Sequence, residues 1–127
     1  MGEAAASALG LPPEHVFKTL VADVDGTPVC AIVPTSGTLS LKALASAAGG
    51  KRARMVDPAN AERLTGFVTG GISPLGQLRP LPTFVDASVL RPAVVHISAG
   101  RRGLQLALAA ADPVSASGAV VVEGLGL

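Results

Sequence analysis

Val16-Phe17-Lys18-Thr19-Leu20-Val21-Ala22-Asp23-Val24-Asp25-Gly26-Thr27-Pro28-Val29-Cys30-Ala31-Ile32-Val33 reads as two β-strands joined by a tight turn. Val16 to Val24 is rich in β-formers, and Asp25-Gly26 is the dipeptide that tolerates positive φ at both centres of a two-residue hairpin turn. Pro28 to Val33 supplies the returning strand. Period-2 alternation puts Phe17, Thr19 and Val21 on one face and Val16, Lys18 and Leu20 on the other. A lysine among such neighbours must snorkel to water or meet an anion. Both readings of Lys18 stand at this point.

Around this hairpin the chain alternates short helices and strands. Glu3 to Leu9 is Ala-rich and stops at Gly10, and Pro12-Pro13 then breaks the chain. Ser40 is placed as an N-cap for a helix carrying Leu41, Leu44, Ala45 and Ala48, which Gly49-Gly50 ends. Arg54 to Val56 fits a short strand. Asp57-Pro58 opens a second helix, Ala59 to Thr65, stopped by Gly66. Thr83 to Val85 and Ala93 to Ser98 read as strands, and Leu104, Leu106 and Leu108 alternate again. Ala119 to Leu127 is apolar but punctuated by glycine, and its pattern assigns it no element. The expected fold is α+β: a single compact domain over residues 1–127, with a mixed, mostly antiparallel sheet and short helices.

Composition narrows the function classes. Of 127 residues, 49% are apolar and 15% charged, which excludes a disordered chain. Three Phe and no Trp or Tyr leave the core to aliphatic residues and argue against a base-stacking platform. No apolar run reaches the roughly 18 residues of a membrane span, and the single cysteine fits a reducing cytoplasm. Net charge is only +1, yet residues 42–102 hold nine of the ten basic residues and three of the nine acids. That asymmetry suits a polyanion, or simply solubilises an apolar domain.

Thr69-Gly70-Gly71-Ile72-Ser73-Pro74-Leu75-Gly76 is the second informative stretch. Glycines permit positive φ and close approach to the main chain, while Pro74 stiffens the loop. Such a loop is either a tight turn or a cradle of N–H groups for an anion or polarised carbonyl. It matches neither GxGxxG nor a Walker loop. His15, His96 and Cys30 lack the spacing of a zinc site and read as structural, and Ser73 or Ser98 lacks a nucleophile-elbow context. Gly100-Arg101-Arg102-Gly103 is a basic turn facing either phosphate or solvent.

Taken together, Val16-Phe17-Lys18-Thr19-Leu20, Leu41-Lys42-Ala43-Leu44-Ala45, Met55-Val56-Asp57-Pro58, Glu62-Arg63-Leu64-Thr65-Gly66, Gly70 to Gly76, Leu81-Pro82-Thr83 and Ser98 to Leu104 occur in an order that resembles the YbaK/ProX family. These are aminoacyl-tRNA editing domains associated with prolyl-tRNA synthetase. The resemblance runs from about Leu9 to Asp112. It implies hydrolysis of a mischarged aminoacyl-tRNA in trans, with Cys- or Ala-tRNA(Pro) as substrate, the acceptor end of the tRNA as partner, prolyl-tRNA synthetase as an associated protein, and neither cofactor nor metal. Lys18 matches the lysine the family needs for activity, and Gly70 the glycine whose backbone meets the ester. Thr19 and Ser98 fall at matching pocket positions; Gly71, Ile72 and Ser73 of the glycine loop and Arg101 of the basic turn are the further candidate substrate-binding residues. No protein nucleophile is implied: the cysteine-specific branch uses the substrate's own thiol and other branches use water.

Three departures accompany the match. Family members carry about thirty more residues before the Leu9 region. Cysteine-type members often have an acid where this chain has Gln105, and Ala119–Leu127 does not resemble their closing helix. The alternative these departures leave open is a catalytically weak tRNA- or small-ligand-binding module that keeps the cleft.

Overall fold

Strand β1 (Val16–Val24) is the hub of the structure, and both of its edges are used differently. The computed structural model describes residues 13–67, 72–73, 77, 81–98, 105–109, 111, 114 and 117–126. Along one edge β1 pairs over its whole length with β2 (Thr27–Pro34), in an antiparallel register that sets Lys18 opposite Val33 and Val21 opposite Cys30. Asp25 and Gly26 both have positive φ, 50° and 91°, which the right-handed twist of a two-residue hairpin favours.

Ser40 caps helix α1 (Leu41–Ala47), its hydroxyl accepting from Ala43 N at 3.1 Å. Strand β3 (Ala53–Met55) follows, one residue earlier than the sequence pattern suggests. Helix α2 (Pro58–Thr65) starts at an N-cap Asp57 and ends at Gly66 in the left-handed region, φ 81°, where only glycine is free of strain. Strands β4 (Thr83–Asp86), β5 (Val94–Ser98), β6 (Gln105–Ala109) and β7 (Val120–Val122) complete one seven-stranded sheet of order β6-β5-β1-β2-β4-β7, with β3 also beside β1. The sheet is mixed, as expected. The two longest ladders, β1–β2 and β5–β6, are antiparallel, whereas the parallel ones hold two or three residue pairs each.

Alternation along the hairpin builds core on both faces. Ala22, Val24, Val29, Ala31 and Val33 pack under α1 with Leu39, Leu44 and Leu125. On the opposite face, Phe17 and Ile32 join Val85, Val89, Val95 and Ile97. Val21 and Cys30 on that second face meet Ala61 of α2 and Ile72. The C-terminal stretch left unassigned by pattern is part of this architecture. It supplies β7, parallel to β4, and Leu125, which is fully buried. Among the described residues no helix is long and apolar enough to cross a membrane.

Candidate functional site

The second edge of β1 is divided between two strands. Strand β5 runs parallel beside Val16 and Phe17, pairing them with His96 and Ile97. Strand β3 runs antiparallel beside Ala22 to Val24, and Val56 N adds a bond to Val21 O at 3.1 Å. Among the described residues nothing pairs with this edge between them, at Lys18, Thr19 and Leu20. Among the described residues, the sheet is therefore split along three residues of its central strand. A split between diverging strands leaves main-chain polar groups and flanking side chains available to a ligand.

Two of the sequence-derived site residues flank this split. Lys18 is half-buried, on the face shared with Val16 and Leu20. Continuing the β1–β5 register by one position brings the backbone of Ser98 level with Lys18, and Ser98 pairs with Gln105 on β6. Thr19 lies on the other face, 7% exposed, and its hydroxyl oxygen has no hydrogen-bond partner. Thr19 Oγ1 and His96 Nδ1 are, among the described residues, the buried side-chain polar atoms left in that state. An unsatisfied buried hydroxyl costs about 1–3 kcal/mol, so its persistence beside a split marks it as a group awaiting a partner.

Ile72 and Ser73 sit on the Thr19 side. The Ile72 side chain is buried against Val21, Cys30 and Ala61, and Ser73 is buried as well. Gln77 holds this segment to the hairpin: its Nε2 donates to Ser73 O at 3.0 Å and to Cys30 Sγ at 3.2 Å. Burial pushes the Cys30 thiol above its ordinary pKa, and the Gln77 contact opposes that only in part. Cys30 is thus a neutral, fully buried thiol in the sheet, consistent with the structural role read from its mid-strand position. Gln77 itself carries no motif signal, because its partners lie four and 47 residues away. Gly70, Gly71 and Arg101 lie outside the described residues, as does the Glu3–Leu9 stretch expected to be helical. Among the described residues no three metal-ligating side chains gather.

Comparison with known proteins bears on what this split serves. The family described as Aminoacyl-tRNA editing domain matches residues 2–115. A protein of Enterococcus faecalis (strain ATCC 700802 / V583), EbsC, assigned as a Cys-tRNA(Pro)/Cys-tRNA(Cys) deacylase, is 38% identical over 108 residues. That match takes in 84% of this chain and 66% of the relative, so the chain spans just under two thirds of the relative's length. The crystal structure of a protein assigned as a trans-editing enzyme for prolyl-tRNA synthetase superposes with a TM-score of 0.86 at 27% identity, over 97% of this chain and 78% of that one. Hypothetical protein APE2540 superposes with a TM-score of 0.90 at 25% identity, over 100% of this chain and 84% of its own. Sequence order, sheet and relatives agree, and the chain belongs to the aminoacyl-tRNA editing domain family.

Proposed function

We propose that the chain hydrolyses mischarged aminoacyl-tRNA in trans, with tRNA(Pro) carrying cysteine or alanine as its substrate and the split at Lys18–Leu20 as its ester-binding cleft. Membership of the aminoacyl-tRNA editing domain family and the likeness to a relative assigned as a deacylase support this reading. The observation that carries the site is the division of the β1 edge, which places the lysine and threonine of the family motif, on opposite faces, within a stretch that nothing pairs with on that edge among the described residues.

The chemistry asked of the protein is modest. An aminoacyl ester is labile, and holding it in an attack geometry supplies much of the acceleration. Water, or the thiol of a cysteinyl substrate, attacks the carbonyl carbon, and the ester bond to the terminal ribose breaks. The thiol route leaves a cyclic thioester that water then opens to the free amino acid. The ribose oxygen takes a proton as the tRNA leaves. Main-chain N–H groups of Gly70, Gly71 and Ile72 stabilise the oxyanion that forms. The buried Ile72 side chain and the Gln77–Ser73 bond support this role by anchoring one end of that loop. Lys18, as a cation on the opposite face, positions the terminal phosphate or the aminoacyl group. Thr19 offers its unsatisfied hydroxyl to the substrate, and Ser98 and Arg101 complete the phosphate side.

Deacylation of Cys-, Ala- and Ser-tRNA(Pro) by the wild type, Lys18→Ala and Gly70→Ala tests the reading. We expect release of at least one amino acid by the wild type, and a kcat about a hundredfold lower when a carbonyl donor is displaced in Gly70→Ala. Lys18→Ala should fall by a similar factor through misplacement of the ester. A wild type that releases none of the three above background ends the enzyme reading and leaves a binding module. Full activity in both variants would move the site elsewhere.

A further inference from the structure

A groove of about 660 Å³ opens at the hairpin end of β1, away from Lys18. Four cations line it: Lys42 of α1, Lys51, Arg52, and Arg54 of β3, against the carboxylates of Asp23 and Asp25. Those carboxylates accept backbone hydrogen bonds and keep their charge, so four cations against two carboxylates leave the groove net cationic. Asp23 Oδ1 accepts from Gly26 N at 2.7 Å, and Asp25 accepts from Lys51 N and Arg52 N at 2.8 and 2.9 Å. The four cationic side chains make no close ion pair and no side-chain hydrogen bond among the described residues, although Arg52 is near enough to Asp25 to help lower its carboxyl's pKa.

The segment that presents them is fixed in place. Asp25 N also donates to Arg52 O at 3.0 Å, so the hairpin turn and the Lys51–Arg52 segment are bonded at three points. Gly50 lets them approach: a Cβ there would lie 2.5 Å from Val24 Cγ1 and 2.8 Å from Asp25 Oδ2. Unpaired cations on a rigid base, without a nearby aromatic ring, suit a phosphodiester backbone rather than bases. Asp23 lies five residue steps along β1 from Lys18, about 17 Å at the usual rise. The groove therefore lies beyond the reach of the esterified nucleotide and within that of the nucleotides behind it.

We infer that this groove docks the phosphate backbone of the tRNA acceptor arm, as a second contact separate from the ester cleft. The inference rests on the deacylase reading for the identity of its RNA. Binding of uncharged tRNA reads the groove without any turnover. Affinity is measured by fluorescence anisotropy between 50 and 250 mM KCl, for the wild type and for Lys51→Ala/Arg52→Ala/Arg54→Ala. Each lost phosphate contact removes about 0.7–0.9 from the slope of log affinity against log salt, so the triple variant should be shallower by about two or more. Its affinity at low salt should fall by roughly tenfold or more. On charged tRNA its loss should appear in KM rather than in kcat.

A charge-preserving variant, Lys51→Arg/Arg52→Lys/Arg54→Lys, should retain the wild-type slope. If circular dichroism shows the alanine variant unfolded, Arg54→Glu alone, at an exposed strand position, serves in its place and should weaken binding. Wild-type slope and affinity in the neutralised protein would overturn the inference while leaving deacylation untouched. A wild type that binds tRNA through these residues but releases no amino acid would sink the deacylase reading alone.

Discussion

Among the described residues Thr19 pairs through its backbone with Ile32 alone, and its hydroxyl has no hydrogen-bond partner, which makes it a sensitive probe of the cleft. Replacing it with valine keeps the shape and removes the orphan hydroxyl. Stability of Thr19→Val should be unchanged or higher by up to about 1–2 kcal/mol, while KM for aminoacyl-tRNA rises. A destabilised variant in denaturant titration would mean that the hydroxyl is already satisfied. Asp25 gives the complementary case. The amides of Lys51 and Arg52 hold its carboxyl below the usual carboxylate range. Its stabilising share is thus fully present above the unfolded pKa near about 4, and is lost as pH falls through the lower folded value. Thermal melts of wild type and Asp25→Asn from pH 6 to 2 should differ at the top of that range and converge at the bottom. At this scale the sequence was informative wherever alternation alone decides a side chain's face, as for Lys18 and Thr19. It was silent on Gln77, whose role exists only once a distant loop meets β2.

Local signals set most of the elements. Ser40, Asp57 and Gly66 are caps whose chemistry acts within three or four residues, so their positions are legible in the sequence, and the helices begin and end beside them. Ser40→Ala should cost about 1 kcal/mol by leaving Ala43 N unpaired, and Ser40→Asp should recover most of it. A melt of Ser40→Ala identical to wild type would show that α1 is held by packing alone. Strand β7 is the opposite case. Three valines between glycines carry no periodic signal, and their strand conformation depends on pairing with Phe84, Val85 and Asp86 across the sheet. The split in β1 was illegible for the same reason. It arises because β5 and β3, both distant in sequence, take different parts of one edge.

At the scale of the whole molecule, the chain's last residues close the core that supports the hairpin. Leu125 is completely buried among Val33, Leu39, Leu44 and Phe84, so it joins β2, α1 and β4 in one cluster. Its carbonyl accepts from Ser40 N at 2.7 Å, directly before α1, and the next residue, Gly126, donates to Asp86 Oδ1 at 2.9 Å. Gly126 also bridges to Leu39. The tail thereby ties the start of α1 to the end of β4. Both elements flank β2, whose register fixes β1 and with it the positions of Lys18 and Thr19. Leu125→Ala opens a cavity in that cluster and should cost about 2–5 kcal/mol, lowering Tm by roughly 10 °C. Leu125→Met, which keeps most of the volume, should cost less than about 1.5 kcal/mol. Because the bonds that fix the groove run between the hairpin turn and Lys51–Arg52 and do not involve the tail, well below Tm the surviving native fraction should bind tRNA with the wild-type salt slope. A Leu125→Ala protein that melts with the wild type would show that the tail is not part of the core. A changed slope in a still-folded protein would show that the tail positions the basic groove through α1 and Lys42.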